Sequence, residues 1–138
     1  MADGKDLALR FVKEVFDNKN LDALDEMIAP GSIDHTPFPG YGTSVEEVKR
    51  SIGDFVKAFP DMKTTIDDVI AEGDKVVIRS TFTGTNTGEF MGMPATGKKV
   101  TVGGIDIVEV KGDKLGDHWG YVDTPAMMTQ LGLMPPMG

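Results

Sequence analysis

Two histidines, no cysteine and a surplus of carboxylates bound the chemistry open to this 138-residue chain. Histidine titrates near neutrality, so His35 and His118 are candidate proton carriers. Asp106 is the candidate base. It belongs to the series Val102, Gly104, Asp106, Val108 and Val110, which shares one face of a strand of period two. Its apolar and glycine neighbours point a carboxylate into a dry face. Burial raises a carboxylate's pKa towards neutrality and makes it a usable base. On the next strand His118, Gly120 and Val122 share a face. If the two faces coincide, Asp106 and His118 meet across a cavity, and Gly104 and Gly120 leave room for a ligand. A single β-bulge would reverse that parity. The alternative for Asp106 and His118 is a buried, hydrogen-bonded structural role.

Other candidates surround these three. His35, in Asp34-His35-Thr36-Pro37, is a second base or a carbonyl-orienting donor, with a backbone-bonded loop histidine as the alternative. Arg79 sits inside a β-run and serves either as a carbonyl or anion clamp in the pocket or as an outer-face salt bridge. Asp123 is either an acid reaching the pocket or a turn and cap residue before Thr124-Pro125. Phe38, Tyr41, Phe55, Phe90, Met91 and Met93 are candidates for an adaptable apolar lining, with core filling as the alternative and the preferred one for Phe55. Trp119 and Tyr121 alternate opposite to His118 and suit a core or dimer patch.

Several chemistries are excluded or disfavoured. Without cysteine there is no disulfide, thiolate nucleophile or zinc–thiolate site. Two distant histidines lack metal-ligand spacing, and no serine sits in a nucleophile elbow. Gly92-Met93-Pro94-Ala95-Thr96-Gly97-Lys98-Lys99 nearly matches a phosphate-binding loop. Lys99 replaces the required Ser or Thr, however, and a β-run follows where a helix is needed. The net charge of −8 argues against nucleic acid and an anionic membrane surface. The expected partner is a hydrophobic small molecule, with no nucleic acid and no membrane. The first six residues are acidic and carry no apolar leader, which predicts a cytoplasmic location.

The elements that must position these groups follow from periodicity. Residues 5–17 make an amphipathic helix. Asn20 caps a short helix ending at Pro30-Gly31. Residues 32–43 form a short strand and a loop. Ser44 and Glu47 form a capping box for a third helix, which stops at Pro60-Asp61. Residues 62–72, 75–84, 98–110 and 115–122 read as an antiparallel meander with turns at Gly73-Asp74 and Gly112-Asp113. Thr124 offers an N-cap and Pro125 an N1 proline for a last helical turn, Ala126 to Leu131, closed by Gly132. The tail, 133–138, is expected to be loosely held. Helices followed by strands predict a single α+β domain over 1–138.

The ordered set of segments resembles the SnoaL-like family within the nuclear-transport-factor-two-like superfamily. The carrying pieces are Ala58-Phe59-Pro60-Asp61, Ala71-Glu72-Gly73-Asp74-Lys75-Val76-Val77, the run from Thr83 to Lys98, Asp117-His118-Trp119 and Gln130-Leu131-Gly132. The resemblance implies a cone, in which N-terminal helices close a strongly curved sheet around an apolar cavity. It also implies a homodimer through the outer sheet face and polyketide ring closure by intramolecular aldol chemistry without cofactor. The acid/base aspartate of aromatic polyketide cyclases falls at Gly120 here, and a partnering histidine falls at Asp106. The expectation is a cofactor-free acid/base enzyme acting on an apolar carbonyl compound by cyclisation or isomerisation. A binding protein for a hydrophobic metabolite, or a related hydrolase or dehydratase, is the alternative.

Overall fold

The computed structural model describes residues 4–134. Of the tail expected to be loose, residues 135–138 lie outside them. Helix α1 (Gly4–Phe11) runs straight into a π-helical turn, Val12–Asp17, so the predicted helix is one element with a widened second half. The Asn18 N–H donates to Lys13 O, five residues back, at 2.8 Å. The same five-residue spacing brings Phe11 and Phe16 edge to face at 6.1 Å, and both rings reach the interior cavity. Such widened turns re-aim side chains that a regular α-helix would spread apart.

Helix α2 (Asp22–Met27) starts after Leu21 without a side-chain cap. The expected Asn20 cap does not form; Asn20 instead accepts the Ala23 N–H through its backbone carbonyl, at 3.2 Å. Helix α3 (Val45–Ala58) is capped by Ser44, whose Oγ accepts the Glu47 N–H at 3.2 Å. The reciprocal half of the capping box is diverted. The Glu47 carboxylate accepts the Gly42 N–H at 2.9 Å and pairs with Arg50.

Strands β1 (Lys63–Glu72), β2 (Lys75–Thr85), β3 (Lys99–Lys111) and β4 (Lys114–Val122) form one antiparallel sheet in sequence order. Gly73 and Gly112 take φ of 60° and 66° at the two tight turns, where a side chain would be strained. A bulge interrupts β1 between Ile66 and Asp68, and a second falls in β4, between Leu115 and His118, opposite Val108 to Val110 of β3. The second falls beyond Asp106, so the pleat from Gly104 to Val108 stays in step with β4. Helix α4 (Thr124–Gln130) follows β4. Its cap is Asp123, one residue before the expected Thr124, and its carboxylate accepts the Ala126 N–H at 3.2 Å.

The helices pack on the concave face of this curved sheet. Phe59, Val100, Met127 and Leu131 fill one end. Leu7, Val76, Val108 and Leu115 fill the other. The cavity opens between them. The segment from Asn86 to Lys98 has no helix and is tied down by Asn86, which is 1% exposed. Asn86 donates to Gly88 O at 2.8 Å and accepts the Thr96 N–H and O–H at 2.9 and 3.0 Å. We predict that Asn86→Ala lowers stability by about 1–3 kcal/mol, since it strands buried partners. Urea unfolding checks this; an unchanged midpoint would show that the segment holds itself without Asn86.

Candidate active site

The cavity has a volume of about 490 Å³ and is lined mainly by apolar side chains from the helices and the sheet's inner face. Its polar end is built by three strand-like segments. β3 and β4 pair so that Asp106 faces Gly120 and Val108 faces His118. His118 and Asp106 are thus diagonal neighbours on one face, and His118 Nε2 lies 2.7 Å from Asp106 Oδ1. The third segment is the chain after α2, which runs parallel along the free edge of β4. The His118 N–H donates to Ile33 O at 3.0 Å and the His35 N–H donates to His118 O at 2.9 Å.

That edge pairing carries Asp34 to the other side of the imidazole. His118 Nδ1 lies 3.1 Å from Asp34 Oδ1. Asp34 is held in turn by the Thr36 N–H at 3.1 Å and the Thr36 hydroxyl at 3.4 Å. Thr36 Oγ1 accepts the Gly120 N–H at 2.7 Å. The result is a row, Asp34–His118–Asp106, in which Asp34 Oδ1 gathers three bonds and Asp106 Oδ1 one, while Oδ2 of each carboxylate has no hydrogen-bond partner among the described residues; the side chain of Asp106 is 42% exposed and that of Asp34 14%.

Electrostatics follow from the row. Burial pulls the His118 pKa down, but hydrogen bonds and charge attraction from Asp106 and Asp34 outweigh it and push it up to about 9. His118 is therefore an imidazolium at neutral pH, donating from both nitrogens. Burial raises the Asp34 pKa, and the bonds from His118 and Thr36 more than reverse this, so Asp34 stays below its ordinary value.

Gly120 makes the row possible. A Cβ there would stand 2.8 Å from His118 Cε1 and closer still to Asp106 Oδ1. A side chain at 120 therefore requires Asp106 or the His118 ring to shift from the bonded arrangement.

The remaining candidates divide by position. Phe38 and Phe55 line the cavity, Phe55 while also packing on the core. His35 does not line it. It lies between Asp34 and Thr36, which face inwards, so strand alternation turns its ring out, against Trp119 at 4.5 Å and Asp117 at 3.0 Å. Arg79 is on the outer sheet face, paired with Asp68 at 2.5 Å, because inner and outer residues alternate around it between Ile78 and Ser80. Asp123 is engaged as the α4 cap. Tyr41, Phe90 and Met91 line a separate depression beside the cavity. There the Tyr41 hydroxyl donates to Asp54 at 2.5 Å. Met93 lines neither space and closes a tight turn with Phe90. Asp34 and Thr36 are the functional candidates that sequence reasoning missed. The available signal was the alternation Asp34-His35-Thr36, which allows Asp34 or His35 to face inwards, but not both.

This architecture matches a known one. The model of the SnoaL-like polyketide cyclase family matches residues 6–131. The chain belongs to that family. Solved structures agree with the SnoaL-like assignment. TsrD from Streptomyces laurentii is 28% identical, with a TM-score of 0.83, over 97% of this chain and 100% of that one. A candidate polyketide cyclase from Bacillus cereus is 30% identical, with a TM-score of 0.79, over 93% and 79%. IdmH from Streptomyces antibioticus, also a candidate polyketide cyclase, is 29% identical, with a TM-score of 0.80, over 94% and 99%. No curated protein matches the chain. No helix among the described residues is long and apolar enough to cross a membrane.

Proposed function

We propose that this SnoaL-like chain is a cofactor-free acid/base enzyme that enolises an apolar carbonyl compound and closes a ring or moves a double bond. The carrying observation is the Asp34–His118–Asp106 row at the polar end of an apolar cavity, with Asp106 Oδ2 free. Asp106 takes a proton from the carbon next to the carbonyl. The C–H pair moves into the new C=C bond, and the carbonyl π pair moves onto oxygen. In ring closure the enolate carbon then bonds to a second carbonyl carbon of the same molecule. The resulting alkoxide recovers the proton from Asp106, and the base is regenerated. His118 is a positioning residue, because both its nitrogens are committed to carboxylates. It fixes the Asp106 rotamer and holds a compensating positive charge between two negative ones. Asp34 orients His118 from behind.

Exchange of enolisable protons tests this without knowledge of the product. Ketones that raise the melting temperature are bound by the folded state. Incubated with protein in deuterium oxide, they are expected to lose their α-proton signals faster than in buffer. The rate should fall as pH rises past about 9, where His118 loses its proton. A neutral imidazole has one N–H for two carboxylates, so the row cannot stay intact. Absence of exchange for every ketone that binds would sink the enzyme proposal and leave a binding protein. One observation favours that second possibility: Gly120 offers no side chain where the resembling cyclases place their aspartate.

A further inference from the structure

An enolate needs a donor for its oxygen, and the row supplies none. Both His118 nitrogens are taken, and the Thr36 hydroxyl donates to Asp34. Of the other hydroxyl residues that line the cavity, Ser51, Thr64, Ser80 and Tyr121 have no side-chain hydrogen bond among the described residues, and Tyr121 alternates away from the face of Gly120 and is 71% exposed. Only Ser80 stands next to Asp106. β2 and β3 pair Ile78 with Asp106 and Ser80 with Gly104. Ile78, Ser80 and Phe82 all line the cavity, so Ser80 shares the face of Asp106 and is its diagonal neighbour. Diagonal residues of an antiparallel pair lie about 7–8 Å apart at the backbone. Thr64 is a further strand away, on β1, and Ser51 lies on α3.

The Ser80–Asp106 diagonal is flanked by Gly104 on one side, where the wall is bare, and by the Ile78 side chain on the other. Gly104 lies opposite Ser80, and Gly120 lies opposite Asp106. The space over Gly120 is taken by the Asp106–His118 pair, so it is Gly104 that leaves a backbone floor beside the diagonal, with a hydroxyl donor at one end and a carboxylate acceptor at the other. A carbonyl group and its adjacent C–H have this polarity: an acceptor oxygen, then two bonds along, an acidic hydrogen.

We infer that Ser80 is the substrate-binding donor that holds the carbonyl oxygen while Asp106 takes the neighbouring proton. The ligand class is thereby narrowed to ketones and related carbonyl compounds whose reacting O=C–C–H unit lies flat over Gly104. This rests on the acid/base proposal above. It adds an electrostatic contribution, because the oxygen gains charge only as the proton leaves and the hydrogen bond strengthens at that moment.

Two probes of equal shape test it. 2-Acetylnaphthalene carries the carbonyl; 2-isopropenylnaphthalene carries a CH2 in place of its oxygen. Wild type is expected to bind the ketone more tightly. Ser80→Ala should cost the ketone about three- to tenfold in affinity. It should leave the hydrocarbon unchanged, which also reports an intact fold. The infrared C=O stretch of bound ketone should move to higher wavenumber in Ser80→Ala and stay put in Thr64→Ala. Deuterium exchange into the acetyl group should slow by about 10²-fold. Equal affinity of wild type for the two probes, no binding of the ketone, parallel losses for both probes in Ser80→Ala, or an unmoved C=O band would each overturn the assignment. Should wild type exchange nothing while the Ser80-dependent preference for the ketone holds, the acid/base proposal fails and Ser80 remains a carbonyl-binding residue.

Discussion

Asp106→Asn is expected to reduce turnover of an enolisable substrate by at least about 10²–10⁴-fold while leaving ligand affinity largely intact. The amide keeps the shape of the carboxylate and can still meet His118, but Oδ2 is replaced by a group that cannot accept a proton from carbon. The cavity walls that supply apolar contact are untouched, since they are built mainly by rings and aliphatic chains on other elements. Binding and chemistry should therefore separate: calorimetry on the variant should give nearly the wild-type dissociation constant, and α-proton exchange should be at background. Retention of wild-type exchange by Asp106→Asn would remove Asp106 from the mechanism.

Gly120→Ala should be nearly as damaging through one methyl group. The added Cβ occupies space now held by Asp106 Oδ1 and the His118 ring edge, so one of the two must rotate away. A misplacement of about 1 Å at a reacting group can cost about 10²-fold in rate. Overpacking of this kind costs about 1–3 kcal/mol of stability, so the variant should still fold. Its diagnostic is the imidazole. With the pair broken, His118 loses the bond from Asp106 that does most to raise its pKa, and its NMR titration should move from about 9 towards 6.5. An unmoved His118 titration with full activity would mean that the row tolerates a side chain at 120.

These effects bear on the expectation drawn from the resemblance. The resemblance places an aspartate at 120 and a histidine at 106. Here the carboxylate is at 106 and glycine is at 120. The geometry links the two positions: the carboxylate on β3 reaches His118 across a β4 position that carries no side chain.

Much of this was legible in the residues alone. The four strands follow from runs of alternating polarity punctuated by Gly73 and Gly112, and local sterics decide both features. The shared face of Gly104, Asp106 and Val108, and that of His118 and Gly120, follow from a period of two. That the two faces coincide needed the register, and register is a long-range property: the extra residue lies in β4, between Leu115 and His118, and placed between His118 and Gly120 it would have taken His118 off the face of Asp106. The π-helical turn that brings Phe11 and Phe16 together was invisible, because apolar spacing does not distinguish it from an ordinary helix. Asp34 and His35 show the same boundary most sharply. Their sequence marks a short extended segment beside a functional histidine, but only its docking on the edge of β4 decides that the aspartate faces His118 and the histidine stacks on Trp119. Local physics determined the elements and their faces. Which faces meet was decided by tertiary pairing, since a backbone edge bonds any strand that reaches it and the chain between α2 and α3 carries this one there.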